Sequence, residues 1–220
     1  MTSHSLNLQT FLTKYLKVLL TKHGLIFGKT QSGKTTFVLR ILDYLSHFYS
    51  PKRRVFFFNT QFDKRFFRFE TVTNLREIKS VLRKSMVIHY YPKSLTDIED
   101  ELQMFITFLF GLSKYVDVTL FLDEVQTFST KTSIPYWLKM ALTRGLGFGL
   151  NLIGITQRLQ NINYNFMSQS FWFILFPVNA FDYPFLKYYG IPIPFWKVSE
   201  RGFSRNCYFF DYNKLIEILL

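Results

Sequence analysis

The chain has 220 residues and a mass of 26.3 kDa, enough for one domain, and its 27 Lys and Arg against 15 Asp and Glu give a formal net charge of +12. A hydrophobic fraction of 48% excludes a disordered basic tail, the single cysteine excludes an intramolecular disulfide framework, and no apolar run approaches the roughly 20 residues of a membrane span. A basic globular protein is expected to bind an anionic partner, such as a nucleic acid, a nucleotide or a lipid surface.

Short apolar runs alternate with longer amphipathic stretches along the chain. The runs predict strands over residues 25–28, 54–60, 86–91, 118–123, 150–156, 171–176 and 206–212. The stretches between them predict helices over residues 34–48, 74–84, 97–114 and 135–143. Most strand runs are apolar throughout, as expected of strands that are covered on both faces. The alternation predicts an α/β fold with a mostly parallel central sheet covered by helices on both faces.

A region rich in Pro and aromatic residues follows residue 177 and precedes the last predicted strand. We therefore predict a single domain over residues 1–220, with a core of about residues 23–177 and a C-terminal extension over residues 178–220. The aromatic runs 56–58 and 171–173 fall within predicted strands and are expected in the core. The aromatic residues of the extension belong either to the core or to an interface. They are Tyr183, Phe185, Tyr188, Tyr189, Phe195 and Trp196.

A glycine-rich sequence lies between the first predicted strand and the first predicted helix. It fits the pattern G-x-x-x-x-G-K-[ST], the P-loop or Walker A motif, without deviation. Its glycines let successive backbone N–H groups and the helix N-terminus point at phosphate oxygens. Lys34 is expected to bridge the β- and γ-phosphates, and the Thr35 hydroxyl to ligate Mg²⁺. The predicted nucleotide-binding residues are Gly28, Lys29, Thr30, Gln31, Ser32, Gly33, Lys34, Thr35 and Thr36.

Two acidic residues, Asp123 and Glu124, end the apolar run that begins at residue 118. In a P-loop protein, an aspartate at the end of such a Walker B strand holds Mg²⁺, and an adjacent glutamate can act as the base that orients the attacking water. The sequence contains no Asn-Lys-x-Asp motif of the kind that recognises guanine. We therefore predict an ATPase that uses Mg²⁺, with Glu124 and Lys34 as catalytic residues.

The predicted strand 150–156 ends in Thr156-Gln157-Arg158. This places the Gln157 amide beside the strand that carries Asp123, so that Gln157 is a candidate sensor of the γ-phosphate or its water. Upstream, Arg144 opens a glycine-rich loop over residues 145–149. An arginine on such a loop can reach a neighbouring subunit's nucleotide as an arginine finger, or can simply stabilise the negative end of a helix dipole. Arg158 is the second candidate for the finger.

Positive charge is concentrated in residues 52–93, which hold eleven Lys and Arg against three acidic residues. The segment is either a solvated helix face or a nucleic-acid surface, and composition alone does not separate the two. Phe62, Phe66, Phe67 and Phe69 are interleaved with its basic residues, which favours stacking on bases or on a neighbouring subunit.

These motifs, in this order, resemble the HerA/FtsK superfamily of DNA-pumping ATPases. The shared features are the P-loop, the Walker B strand ending in Asp123-Glu124, the Arg144 loop and the strand ending in Thr156-Gln157. Within that superfamily, a minimal chain of this kind is similar to the genome-packaging NTPases of turreted icosahedral viruses of archaea. The resemblance spans roughly residues 25–176. It matches Lys34 and Thr35 to Walker A, Asp123 and Glu124 to Walker B, and Gln157 to the sensor.

The resemblance implies a RecA-like core of the ASCE type, assembly into a ring that is usually a hexamer, and ATP-driven translocation of double-stranded DNA. It also implies capsid or vertex proteins as partners, and a location in the host cytoplasm or with the virion. The +12 charge is consistent with a channel that neutralises phosphates without reading bases.

The chain departs from the superfamily pattern at two places. Many relatives have an acidic residue at the end of the second strand, where this chain has Asn59-Thr60-Gln61. Some relatives have more than one arginine in the loop after residue 143, where this chain has only Arg144. Two alternative functions remain open at this point. One is a plasmid-transfer, conjugative or phage-assembly ATPase, and the other is a nucleotide-gated switch that performs no mechanical work.

Overall fold

The structure, a computed structural model, describes residues 4–48, 50–93, 96–191 and 206–220. The strands are β1 (His4–Asn7), β2 (Gly24–Phe27), β3 (Arg53–Phe58), β4 (Glu70–Val72), β5 (Val87–Tyr90), β6 (Asp117–Leu122), β7 (Leu150–Thr156), β8 (Trp172–Leu175), β9 (Asn206–Phe210) and β10 (Leu215–Leu219). The helices are α1 (Leu8–Thr21), α2 (Lys34–Ser46), α3 (Leu75–Val81), α4 (Ile98–Leu112), α5 (Tyr136–Arg144), α6 (Tyr164–Gln169) and α7 (Tyr183–Tyr188).

The ten strands of the described residues form one open sheet in the order β1-β10-β9-β8-β2-β7-β6-β3-β5-β4. Neighbouring strands are parallel except at β9, which is antiparallel to both β8 and β10. The predicted α/β fold with a mostly parallel sheet is therefore confirmed. Because β2, β7, β6 and β3 are consecutive neighbours that run the same way, the loops after them emerge at one edge of the sheet.

Helices cover both faces of the sheet, as predicted, and two separate hydrophobic cores result. On β3, Phe56 and Phe58 point into the core shared with α3, α4 and α5, whereas Val55 and Phe57 point into the core shared with α1 and α2. This alternation explains why the central strands are apolar along their whole length. Buried aromatic rings fill much of both cores, which accounts for a large part of the high aromatic content.

Several elements have no counterpart among the predicted ones: β1, β4, β10, α1, α6 and α7. The strands among them have three to five residues, too few for a clear pattern. The helix α1 buries Phe11, Leu12, Tyr15, Leu19 and Leu20 on one side, while the lysines between these residues lie on the other side. Among the described residues, no helix is both long and apolar enough to span a membrane.

Three expectations about aromatic residues are wrong. Phe171 is not a core residue, since it is exposed and lies under the Lys22 ammonium, 4.8 Å from the ring centroid. Phe66 and Phe69 are buried, and Phe66 stacks on Phe57 with 3.7 Å between centroids, so that neither is available to stack on a base. Phe67 is 48% exposed and remains accessible.

The aromatic residues of the extension divide between core and surface. Tyr183, Phe185 and Tyr189 pack against the core of the α3–α5 face, whereas Tyr188 is exposed. The structure therefore supports the core interpretation for three of them. Phe195 and Trp196 lie outside the described residues.

The contact between β2 and β8 gives a stability prediction. A Cβ atom at Gly24 would lie 2.1 Å from Cε2 of the buried Trp172, so Gly24→Ala should lower the free energy of unfolding by about 1–3 kcal/mol through overpacking. The matched control is Gly111→Ala on α4, where a Cβ would meet no atom within 4 Å and should stabilise the helix by about 0.5–1 kcal/mol. Urea denaturation measures both, and equal effects would contradict the tight β2–β8 contact.

Candidate nucleotide site

The P-loop occupies residues 28–33, between the end of β2 and the start of α2. Gly28 and Gly33 have φ angles of +158° and +104°, and a Cβ at Gly28 would lie 2.4 Å from the Cβ of Phe176. Phe176 is buried beneath the loop and packs edge-on against Phe37 of α2. The Lys29 N–H donates to the Pro177 carbonyl at 2.8 Å. The loop is therefore held on the chain that leaves β8, in a backbone conformation that its two glycines permit.

The Lys34 side chain folds back over this loop. Its ammonium donates to the Gly28 carbonyl at 2.7 Å and to the Lys29 carbonyl at 2.9 Å. Burial lowers the pKa of Lys34 to about 8, while the negative charges of Glu124 and Asp123 act in the opposite direction. The buried Ser32 hydroxyl has no hydrogen-bond partner among the described residues. A glycine cradle that contains a cation and an unpaired hydroxyl has the donor chemistry to bind a chain of phosphates.

Asp123 and Glu124 follow β6 directly. Burial and the neighbouring Glu124 charge raise the pKa of Asp123 to about 7, while an oxygen of its carboxylate accepts the Glu124 N–H at 3.1 Å. Glu124 is only 6% exposed and adopts a left-handed backbone conformation, with φ of 46° and ψ of 55°. A non-glycine residue in this conformation carries strain. Strain of this kind, together with a buried and a partly buried carboxylate, is typical of functional sites.

Three glutamine amides hold the Glu124 carboxylate. Gln61 and Gln157 both donate to Oε1, and Gln126 donates to Oε2. Two of these glutamines have further partners: the Thr30 hydroxyl donates to Gln157 at 2.5 Å, and the Thr156 hydroxyl donates to Gln126 at 2.6 Å. Hydrogen bonds therefore connect the P-loop, through Gln157, with the acidic end of β6.

Two members of this network are absent from the sequence prediction. Gln61 follows β3, the neighbour of β6, and it belongs to the segment 59–61 that departs from the superfamily pattern. Gln126 lies two residues after Glu124. The signal for both was a polar residue just beyond the end of a buried strand, but the strand order needed to place Gln61 beside Glu124 is not visible in the sequence.

The two candidate arginines lie at opposite edges of the sheet. Arg144 is the last residue of α5 and is exposed. It lies six residues before the start of β7, and Gln157 follows the other end of that strand. The predicted loop after it is a short 3-10 helix, Gly145–Phe148. Since β7 has seven residues and spans roughly 20 Å, Arg144 lies far from the P-loop of its own chain. Arg158 follows β7 at the P-loop edge, and within the described residues its guanidinium makes no hydrogen bond or ion pair.

The predicted metal ligands are the Thr35 hydroxyl and the Asp123 carboxylate. A hydroxyl and a carboxylate are hard ligands of the type that Mg²⁺ prefers. Within residues 4–48, 50–93, 96–191 and 206–220, there is no group of three or more His, Cys, Asp or Glu residues arranged to hold a metal. The donor set therefore fits Mg²⁺ that also takes ligands from a bound nucleotide and water.

No protein-family model matches the chain, and no curated protein matches it. Several solved structures do match the chain. The genome packaging NTPase B204 of Sulfolobus turreted icosahedral virus 2, in complex with sulfate, is 18% identical, with a TM-score of 0.68 and coverage of 89% of this chain and 95% of that one. B204, the DNA-packaging ATPase of Sulfolobus turreted icosahedral virus, is 15% identical, with a TM-score of 0.65 and coverage of 90% and 97%.

A bacterial ATPase is also similar. EssC (ATPases 2 and 3) of Geobacillus thermodenitrificans is 16% identical, with a TM-score of 0.57, and the alignment covers 90% of this chain but 39% of that one. At such identities, likeness to a solved structure shows the fold. The chain has the P-loop NTPase fold of the viral genome-packaging NTPases and of the EssC ATPases, as the resemblance in its motifs predicted.

Proposed function

We propose that this protein is an ATP-hydrolysing motor that translocates double-stranded DNA and packages a viral genome into a preformed capsid. The observation that carries the proposal is the position of Glu124, which is buried beside Asp123 and bonded to Gln157, itself bonded to Thr30 of the P-loop. A base connected in this way to a phosphate-binding loop fits hydrolysis better than binding alone. The similar B204 protein has been solved with AMPPCP and with ATP-γ-S.

The P-loop and Lys34 bind the phosphates in this mechanism. Backbone N–H groups of the loop and the N-terminus of α2 face the phosphate oxygens. The Lys34 ammonium leaves the Gly28 and Lys29 carbonyls for the β- and γ-phosphates, which compensate its burial with a full negative charge. Thr35 and Asp123 would hold Mg²⁺, which would neutralise charge on the phosphate oxygens.

Glu124 then serves as the base. It accepts a proton from a water molecule whose oxygen attacks the γ-phosphorus, and the bond to the β–γ bridging oxygen breaks, giving ADP and phosphate. Gln157 orients this water or senses the γ-phosphate, because its amide contacts Glu124 while its oxygen contacts the P-loop. The three glutamine donors hold the Glu124 carboxylate although its backbone is in a strained left-handed conformation.

The motor part of the proposal rests on charge and on the fold. A net charge of +12, concentrated in residues 52–93, fits a ring whose channel binds DNA phosphates without sequence preference. We infer a ring, most simply a hexamer, in which Arg144 serves the neighbouring subunit's nucleotide, because it lies far from its own P-loop. Capsid or vertex proteins are the further partners, and the host cytoplasm or the virion is the location.

Two other functions compete with this one. One is another kind of ATPase, such as a plasmid-transfer, conjugative or phage-assembly motor, and the EssC ATPases have the same fold. A nucleotide-gated switch is the alternative from a different class. The buried Glu124 argues against a switch, because a protein that only binds nucleotide has little use for a built-in base.

Two substitutions test the hydrolytic assignment. Lys34→Ala should weaken ATP binding by about tenfold or more, since it removes a charged donor to the phosphates. Glu124→Gln should keep ATP binding and lower turnover by about 100-fold or more, since the amide is similar in shape but accepts no proton. Binding is measured by calorimetry and turnover by phosphate release, with and without duplex DNA. Wild-type turnover in Glu124→Gln would contradict the assignment of Glu124 as the base. Tight ATP binding without any turnover in the wild type would favour the nucleotide-gated switch.

Mixing experiments test the arginine finger. If Arg144 acts in trans, rings that combine wild-type and Arg144→Ala subunits should lose more activity than the fraction of variant subunits, because each variant disables a neighbour's site. Lys139→Ala is the matched control, since Lys139 is an exposed cation on the same helix. A linear decline of activity with the fraction of Arg144→Ala subunits would show that Arg144 is not the finger. The same series with Arg158→Ala would then test the second candidate.

A further inference from the structure

An exposed aromatic ring lies on the surface segment Lys64–Arg68, a 3-10 helix that follows β3 at the P-loop edge of the sheet. Two neighbouring rings anchor this segment on the protein core. Phe66 is buried and stacks on Phe57 with 3.7 Å between centroids, and Phe69, just after the segment, is also buried. Phe67 lies between these two anchors and is about half exposed. The backbone that carries Phe67 is therefore fixed, while its ring faces solvent.

Other rings hold Phe67 from one side. Its centroid lies 5.0 Å from that of Tyr91 and 5.4 Å from that of the buried His89, whose ring is perpendicular to it. Phe62 contacts Tyr91 edge-on, also with 5.0 Å between centroids. Tyr91 is held in turn at the end of β5, because its N–H donates to the Val72 carbonyl at 2.9 Å. A ring that is fixed before binding loses little conformational entropy when a planar group stacks on its free side.

Three cations accompany this ring on the same short segment. Lys64, Arg65 and Arg68 are all exposed. Arg65 pairs with Asp63 at 2.6 Å, and Arg68 pairs with Asp43 at 2.5 Å. Lys64 has no ion pair among the described residues. Exposed ion pairs contribute little net free energy, so that phosphate groups can compete with the two aspartates for the guanidinium groups.

The combination of a fixed ring and cations indicates the chemistry of the ligand. Cations alone would fit the phosphates of any nucleic acid, whereas the ring adds a contact with the face of a base. Inside a duplex, both faces of a base are covered by its neighbours, and separating them costs free energy. An unpaired nucleotide already presents its base and carries the same phosphates. The segment is therefore better matched to unpaired nucleotides than to the interior of a duplex.

We propose that the segment Lys64–Arg68 is a binding site for unpaired nucleotides of DNA. Phe67, supported by Tyr91, stacks on one base, while Lys64, Arg65 and Arg68 bind the flanking phosphates. A duplex end with a single-stranded overhang offers both kinds of contact, so the protein binds DNA at such an end in preference to a blunt duplex. The inference rests on the proposed function only for the identity of the ligand as DNA, and it adds a contact with a base to the contacts with phosphates.

The test measures binding of four labelled probes by fluorescence anisotropy. The probes are an oligothymidylate, a strand of equal length made of abasic nucleotides, a blunt duplex, and that duplex with a thymidylate overhang. The wild type should bind the oligothymidylate about tenfold more tightly than the abasic strand, which is the scale of one base stacked on an aromatic ring. It should prefer the overhang duplex to the blunt duplex by a similar factor.

Phe67→Ala should remove both preferences and leave the affinities for the abasic strand and the blunt duplex unchanged. Phe67→Trp should keep them, because a larger ring stacks at least as well. Phe48→Ala is the matched control, since that ring is also about half exposed but lies beside the start of β3, at the opposite edge of the sheet. Thermal melting checks that each variant is folded.

Lys64→Ala separates the phosphate contacts from the stacking. It should weaken binding of all four probes by the same factor and should lower the salt dependence of each affinity, because it removes one phosphate contact without affecting the base. A loss confined to the oligothymidylate would contradict the role of Lys64.

Three results would overturn the inference while leaving the proposed function intact. They are an oligothymidylate affinity in Phe67→Ala equal to that of the wild type, an equal loss for all four probes in that variant, and a wild type that binds the blunt duplex as tightly as the overhang duplex. A change of oligomeric state in Phe67→Ala with unchanged DNA affinity would assign the ring to a contact between subunits instead. A wild type that binds none of the probes would overturn the DNA part of the proposed function itself.

Discussion

The parallel pairing of β3, β6, β7 and β2 is the constraint on which the nucleotide site depends. It brings the ends of four strands, which are far apart in the chain, to one edge of the sheet. The P-loop, the acidic pair, Gln157 and Gln61 each follow one of these strands, and their side chains meet at Glu124. The order of the strands therefore decides which residues can act together, since Gln157, which connects the base with the P-loop, follows the strand that lies between β6 and β2.

Burial of charged groups at this edge of the sheet lowers the stability of the fold. Burial lowers the pKa of Lys34 to about 8 and raises that of Asp123 to about 7, so that the fold disfavours the charged form of each group. The three glutamine donors offset part of the desolvation of Glu124. A nucleotide with a divalent ion supplies the missing charges of both signs. We expect the site to be stabilised by its substrate rather than by its own contacts, which is common where function opposes stability.

Much of the fold and the centre of the site could be predicted from the sequence. Continuous apolar runs identify the central strands because both of their faces are covered. The P-loop pattern is specific because its glycines are required for steric reasons. The short strands β1, β4 and β10 escaped prediction because their pattern is too brief, and β1 pairs with a strand at the opposite end of the chain. Phe66 was misassigned because its neighbours are basic, although its own ring packs on Phe57.

The site was predicted less fully than the fold. Residues with a fixed place in a motif, such as Lys34 and Asp123, could be proposed from the sequence, whereas Gln61 and Gln126 could not. Their role depends on which strand lies beside β6 and on a left-handed turn at Glu124, and local sequence encodes neither clearly. Arg144 illustrates the same limit, because its distance from its own P-loop follows from the direction of β7 rather than from the residues around it.

The central claim is that Lys34 and Glu124 face a bound triphosphate at this edge of the sheet. A crystal structure of the protein with Mg²⁺ and a non-hydrolysable ATP analogue tests it most directly. The account predicts that the Lys34 ammonium leaves the Gly28 and Lys29 carbonyls and contacts phosphate oxygens, with the Glu124 carboxylate facing the γ-phosphate across a water molecule. An analogue bound elsewhere, with Lys34 still on both carbonyls, would contradict the account.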